Sequence, residues 1–241
     1  DALAKAEWPL AIRNRLGLVT SSENNPHVMD YLYKFSEKWE EWVRMPEGSF
    51  LMGHPSSKDS APHKQIQIEK PFLIRKFPVT NIEFFCFVNE TNYKTEAETL
   101  VDAIVYQSGS LAMQGAGDYS TQSSFSNPSL GPVKEAFWLC PDGQPDSLYG
   151  KHNHPVTQVT WNDAQAYCKW KSEQTGQNIR LLSEKEWEYV ASDFGKVSPD
   201  NFFWDEDRIV EFCNIEETGV LRTLPVDHYS ENEYFGGIRD L

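Results

Sequence analysis

One kind of helix start recurs three times in this chain. Thr80-Asn81-Ile82-Glu83, Thr160-Trp161-Asn162-Asp163 and Ser183-Glu184-Lys185-Glu186 each place a hydroxyl residue three positions before an acid. A hydroxyl at the cap accepts the N3 amide while the acid reaches back to the cap amide, so two orphan donors are satisfied together. Losing such a cap costs about 1 kcal/mol. The pattern predicts helices over 84–89, 164–174 and 187–191, the second closed by Gly176. The middle box uses the shorter Asp.

Strands are expected ahead of the first box. Met45-Pro46-Glu47 reads as a turn before the apolar run Gly48-Ser49-Phe50-Leu51-Met52. Gln65-Ile66-Gln67-Ile68-Glu69 alternates strictly, as a half-exposed strand does. A third strand is expected over 71–79, bounded by prolines. Upstream, a helix over 9–16 ends at Gly17. Asn25-Pro26 then reads as cap and first residue of a helix carrying Tyr31, Phe35, Trp39 and Trp42 at helical spacing. Residues 1–44 are thus expected to form a helical N-terminal arm. Residues 106–153 are rich in Ser, Gly, Gln and Pro, with Phe137-Trp138-Leu139 as an apolar knot. A loop that long is usually functional or partly disordered.

The whole reads as one irregular α+β domain, 45–241, behind that arm. Acidic residues number 36 against 22 basic ones, a formal charge of −14. Such a field repels phosphate backbones and anionic membranes, so neither nucleic acid nor membrane is an expected partner. No apolar run approaches the roughly 18 residues of a membrane span. The chain opens at Asp1 without an apolar signal segment, which is read as a processing boundary. Cys86, Cys140, Cys168 and Cys213 are widely spaced, the pattern of reduced thiols in a cytoplasmic protein.

Several blocks, in order, carry a family resemblance. They begin with Met45-Pro46-Glu47-Gly48-Ser49-Phe50-Leu51-Met52-Gly53 and Pro78-Val79-Thr80-Asn81-Ile82-Glu83-Phe84. His154-Pro155-Val156 precedes Val159-Thr160-Trp161-Asn162-Asp163-Ala164 and Ala166-Tyr167-Cys168-Lys169-Trp170. Arg180-Leu181-Leu182-Ser183-Glu184-Lys185-Glu186-Trp187-Glu188-Tyr189 and Tyr234-Phe235-Gly236-Gly237-Ile238-Arg239-Asp240-Leu241 follow. Together they resemble the formylglycine-generating enzyme family, the sulfatase-modifying-factor domains. That resemblance implies a variant of the C-type lectin fold, low in regular secondary structure.

It also implies where chemistry would reside. In catalytic members a copper-binding cysteine pair lies downstream of the segment matching Phe235–Leu241, so copper is implied only where such a pair follows. The closing strands of the fold are likewise expected beyond Leu241. Cys168 matches a cysteine that is disulfide-bonded in the secreted enzyme. No catalytic residue is carried over. Relatives that bind non-haem iron use His-x-x-x-His-x-Glu, which has no match here; the arm holds only His27.

Asn214 and Ile215 match positions where family members hold structural calcium, with Asp205, Glu206, Asp207, Glu216 and Glu217 nearby in sequence. His152-Asn153-His154, near Cys140, has the spacing to put two imidazoles on one face of a strand, although His154 belongs to a family block. Trp161, Trp170, Trp187 and Trp204 offer stacking surfaces, but the first three are expected to face the core. Glu186 has a capping role, and Glu188, two positions on, does not share its helix face. Gly236-Gly237 is expected to turn the chain into a strand.

Two functions are compatible with these residues. In the first, the chain is a non-catalytic binding or scaffold module that works with a protein partner or within a larger assembly. In the second, it is the front part of an oxygen-dependent metallo-oxidase whose metal ligands lie beyond Leu241. The first is preferred, because no cysteine pair stands at the copper positions.

Overall fold

The computed structural model describes residues 34, 36–53, 63–99, 111–113, 130–132, 136–141, 143, 148–197, 213–214, 218–220, 222–229 and 235–239. These belong to two compact units, one comprising 1–36 with 79–181, the other 37–78 with 182–241.

The first unit is organised round α1, Asn81–Thr91. Every residue from Asn81 to Val88 is buried, polar and apolar alike, so this helix is enclosed on all sides at its N-terminal end. Its rings pack in a network: Phe84 against Trp138 and Phe87 against Trp170 and Tyr93, with centroids 4.9–5.6 Å apart. Tyr167 and Trp170 come from α3, Trp161–Thr175. A short helix, α2 (Glu96–Thr99), and a small antiparallel pair, β5 (Leu111–Met113) and β6 (Leu130–Pro132), complete the described elements of this unit.

The second unit is built from two antiparallel ribbons. β1 (Trp42–Met45) pairs with β4 (Phe72–Arg75), with Val43 opposite Ile74. β2 (Gly48–Met52) pairs with β3 (Lys64–Ile68), with Phe50 opposite Ile66. Pro46, which has no amide to donate, separates β1 from β2. Met45, Ile74, Val190, Phe235 and Ile238 form one buried cluster, and Phe50, Ile68 and Tyr189 another. Val190 and Tyr189 are supplied by α4, Glu184–Ala191.

All three expected helix starts are present. The caps are Thr80, Thr160 and Ser183, and α3 ends at Gly176, whose amide donates to Ser172 O at 2.9 Å with φ at +67°. The three expected strands appear as β2, β3 and β4. The arm differs from expectation where it is described. Glu37–Trp39 form a 3-10 turn and Trp42 opens a strand, so the helical spacing of the aromatic residues does not persist through Trp42. Arg75 accounts for the stop: its guanidinium donates to Trp39 O at 2.8 Å, tying that carbonyl to β4. Residues 1–33 lie outside the described set.

Among the described residues no strand follows Gly236-Gly237, since Ile238 and Arg239 are irregular. Phe235–Gly237 form a tight left-handed turn with φ of 53°, 66° and 81°. Asp193 holds it, accepting the Phe235 amide on Oδ1 at 3.0 Å. A second left-handed run, Asp193-Phe194-Gly195, follows α4. Gly195 is required there: a Cβ would lie 2.8 Å from Ser49 O at a φ of +80°.

Candidate functional site

The polar centre of the first unit is Asp163, whose side chain is fully buried. Its Oδ2 accepts the Thr160 amide at 2.8 Å, closing the capping box of α3. Its Oδ1 accepts the Tyr93 hydroxyl at 2.9 Å and the Glu96 amide at 3.0 Å. The sequence shows only the capping role; the structure adds the joint between α2 and α3. Side-chain hydrogen bonds from Thr160 and Asn162 hold the Glu96 carboxyl below its ordinary value. Burial and the bond to Asp163 push the Tyr93 hydroxyl up to about 12. Four groups are locked in place, which makes this a rigid corner.

A side-chain contact at the start of α2 escaped the sequence reading. Glu98 Oε2 accepts the Thr95 amide at 2.9 Å and the Thr95 hydroxyl at 2.8 Å. The signal, Thr95-Glu96-Ala97-Glu98, is present in the sequence, and the apolar residues Leu100, Val101, Ala103, Ile104 and Val105 follow it.

His152-Asn153-His154 lies in a turn and not on a strand. The backbone explains this. Ile82 donates to His152 O at 3.0 Å and Asn81 to His154 O at 2.9 Å, so these carbonyls cap the open end of α1. Among the described residues, no group of three or more His, Cys, Asp or Glu side chains is arranged to hold a metal ion.

The thiols of the first unit are packed. Cys86, Cys140 and Cys168 are buried, and Cys213 is partly exposed. Burial pushes the Cys86 thiol up to about 12 and raises that of Cys168 as well. A thiol so disfavoured as a thiolate is a poor nucleophile and a poor metal ligand.

Asn214 is exposed, and its amide is engaged: Nδ2 donates to Arg222 O at 2.8 Å and Oδ1 receives Thr218 Oγ1 at 3.5 Å. Calcium takes about six to eight oxygens. The described residues round Asn214 do not by themselves complete such a shell. Ile215, Asp205, Glu206, Asp207, Glu216 and Glu217 lie outside the described residues.

The tryptophans divide. Trp170 is buried and donates to Glu90 Oε2 at 2.6 Å, as a core residue should. Trp161 and Trp187, expected in the core, are 67% and 47% exposed. Each sits in the first turns of its helix, ahead of the residues that anchor it (Tyr167 in α3, Tyr189 and Val190 in α4). Trp204 lies outside the described residues. Glu186 takes the Ser183 amide at 2.9 Å, whereas Glu188 takes the Gly53 amide at 2.7 Å, so the two carboxylates serve separate backbone donors.

Comparison with known proteins agrees with this architecture. The profile of the sulfatase-modifying factor enzyme 1-like domain matches residues 32–241. The chain is 35% identical to the bovine (Bos taurus) formylglycine-generating enzyme over 207 residues, 80% of this chain and 53% of that protein. It is 38% identical over 152 residues to the bovine inactive C-alpha-formylglycine-generating enzyme 2, 62% of this chain and 48% of the relative. The Streptomyces coelicolor formylglycine-generating enzyme is 31% identical over 209 residues, covering 79% and 62%. Among solved structures, PvdO from Pseudomonas aeruginosa superposes with a TM-score of 0.54 at 25% identity, over 82% of this chain and 66% of that one. The chain spans about half the length of the bovine relatives. It belongs to the formylglycine-generating enzyme family, as a sulfatase-modifying factor enzyme 1-like domain with an irregular α+β fold.

Proposed function

We propose that this chain is a non-catalytic member of its family, a binding or scaffold module that acts with a protein partner. The observation that carries the reading is exposed aromatic surface, with Trp161 67% and Trp187 47% exposed. Cys86, Cys140 and Cys168 are buried, and burial holds the first and last as neutral thiols, so they serve packing and not metal ligation. The relatives include a protein named as inactive alongside the active enzymes. Exposed Trp161 in the first unit, and Trp187 with Leu73 in the second, offer apolar contact area of the kind that anchors protein partners. Buried thiols at Cys86 and Cys168 fit a reducing compartment, and the proposal assigns the protein to the cytoplasm.

Native mass spectrometry of the protein isolated from its source tests this. A partner polypeptide is expected at fixed stoichiometry, and Trp161→Ser is expected to lower its occupancy at least tenfold, without shifting the thermal midpoint. A protein that is monomeric at every concentration would overturn the reading. Calcium enters the proposal only as a stabilising ligand at Asn214 and Ile215. Adding it is expected to raise Tm in the wild type and not in Asn214→Ala; equal shifts in both would remove the ion from that position.

The second reading is the front part of an oxygen-dependent metallo-oxidase, with copper held beyond Leu241. It is favoured by the longer match to the bovine enzyme, 207 residues against 152 for the inactive relative.

A further inference from the structure

We infer that residues 235–239 form a strap that opens as a unit while the rest of the second unit stays folded, and that the Asp193 carboxylate is its latch. Two three-residue runs of this unit are left-handed throughout. Asp193-Phe194-Gly195 has φ of 47°, 63° and 80°, and Phe235-Gly236-Gly237 has 53°, 66° and 81°. That conformation is unfavourable for phenylalanine, whose Cβ crowds the following carbonyl oxygen. It persists only where the surroundings over-determine it.

The two runs are held differently. The first is pinned by its own neighbourhood: Asp193 donates to Val190 O, Phe194 to Tyr189 O, Gly195 to Ser192 Oγ and Lys196 to Asp193 O, at 3.0–3.3 Å. These bonds continue α4 and are lost only with it. The second run is anchored from outside. The Phe235 amide donates to Asp193 Oδ1 at 3.0 Å and the Arg239 amide to Lys76 O at 2.8 Å, whereas the bond within the strap, Ile238 N to Phe235 O, is 3.3 Å long. Asp193 is 6% exposed, and its Oδ2 takes Lys196 Nζ at 2.9 Å. One oxygen is thus neutralised by Lys196 while the other holds the strap through a charge-assisted bond. Between the anchors, Phe235 and Ile238 fill the cluster of Met45, Ile74 and Val190. Gly236 fits beneath it, since a Cβ there would lie 3.3 Å from Met45 Cε and 3.4 Å from Phe194 Cζ. Opening frees Phe235 from the left-handed region and uncovers Met45, Ile74 and Val190. It leaves β1 paired with β4 and α4 intact, so the strap lies at the low-stability end of this unit.

Native-state hydrogen exchange of the full chain, followed amide by amide in low urea, tests this. The Arg239 amide is the reporter, because its own acceptor is Lys76 O and not Asp193. It is expected to exchange through an opening that is nearly independent of urea, whereas Val190, in α4, exchanges through one that urea strongly promotes. Ser183→Ala, which weakens the cap of α4 in the closed and open forms alike, is expected to speed Val190 about fivefold and to leave Arg239 unchanged. Asp193→Ala is expected to speed Arg239 about tenfold or more. Asp193→Asn keeps an acceptor oxygen without the charge and should speed it by a smaller factor, about threefold. Equal urea dependence of Arg239 and Val190, or equal acceleration of both in Ser183→Ala, would overturn the strap. An unchanged Arg239 rate in folded Asp193→Ala would overturn the latch. Should the alanine variant not fold, an unchanged rate in Asp193→Asn does so instead.

Discussion

At the scale of single residues, burial and hydrogen bonding set what each side chain does. Asp163 accepts donors from Thr160, Tyr93 and Glu96 while fully buried. Asp163→Ala strands those donors, and a loss of about 3 kcal/mol is expected in urea unfolding. Cys86 makes a different prediction. Its thiol is raised from 9.0 to about 12, and Tyr93 rises from 10.0 to about 12. Both groups stay protonated in the folded chain where the unfolded chain has begun to ionise. Their stabilisation is therefore complete below pH 9 and is lost as pH rises from 9 to 12. Cys86 alone should contribute a loss of about 1.4 kcal/mol at pH 10. Comparing urea midpoints at pH 8 and pH 10 checks this, and Cys86→Ala should flatten the difference. The burial of Cys86 was not legible from its spacing, whereas the capping role of Asp163 was.

At the scale of elements, what could be read was what is local. A capping box satisfies its donors within four residues, so Thr80, Thr160 and Ser183 announced their helices without reference to anything distant. The strand β3 was legible for the same reason, since alternation is a property of the segment alone. Exposure is not local. Trp161 and Trp187 look like core residues on helices that do pack, yet they lie on the first turns, outside the packed stripe. The turn at Gly236-Gly237 was legible, but its hold by Asp193 was not, because Asp193 is 42 residues from Phe235 in sequence. Thr95→Ala should cost about 1 kcal/mol. Its effect is expected to be confined to faster hydrogen exchange in α2. Gly195→Ala should cost about 2–3 kcal/mol, from an added Cβ against Ser49 O and a left-handed backbone. Thermal unfolding measures it, and a neutral result would mean that β2 yields there.

At the scale of the molecule, each unit is stitched from distant segments. The second joins 37–78 to 182–241, and Arg239 donates to Lys76 O at 2.8 Å across that gap. No periodicity encodes such a join, which is why the family blocks, and not the local patterns, carried the fold. They did not carry an activity, because the family includes active and inactive proteins. Oxygen uptake decides between these for the protein isolated from its source, assayed with copper and a cysteine-containing peptide. A binding module should consume no oxygen above the peptide blank and form no aldehyde. Copper-dependent uptake with loss of the peptide thiol would contradict the module and establish the oxidase.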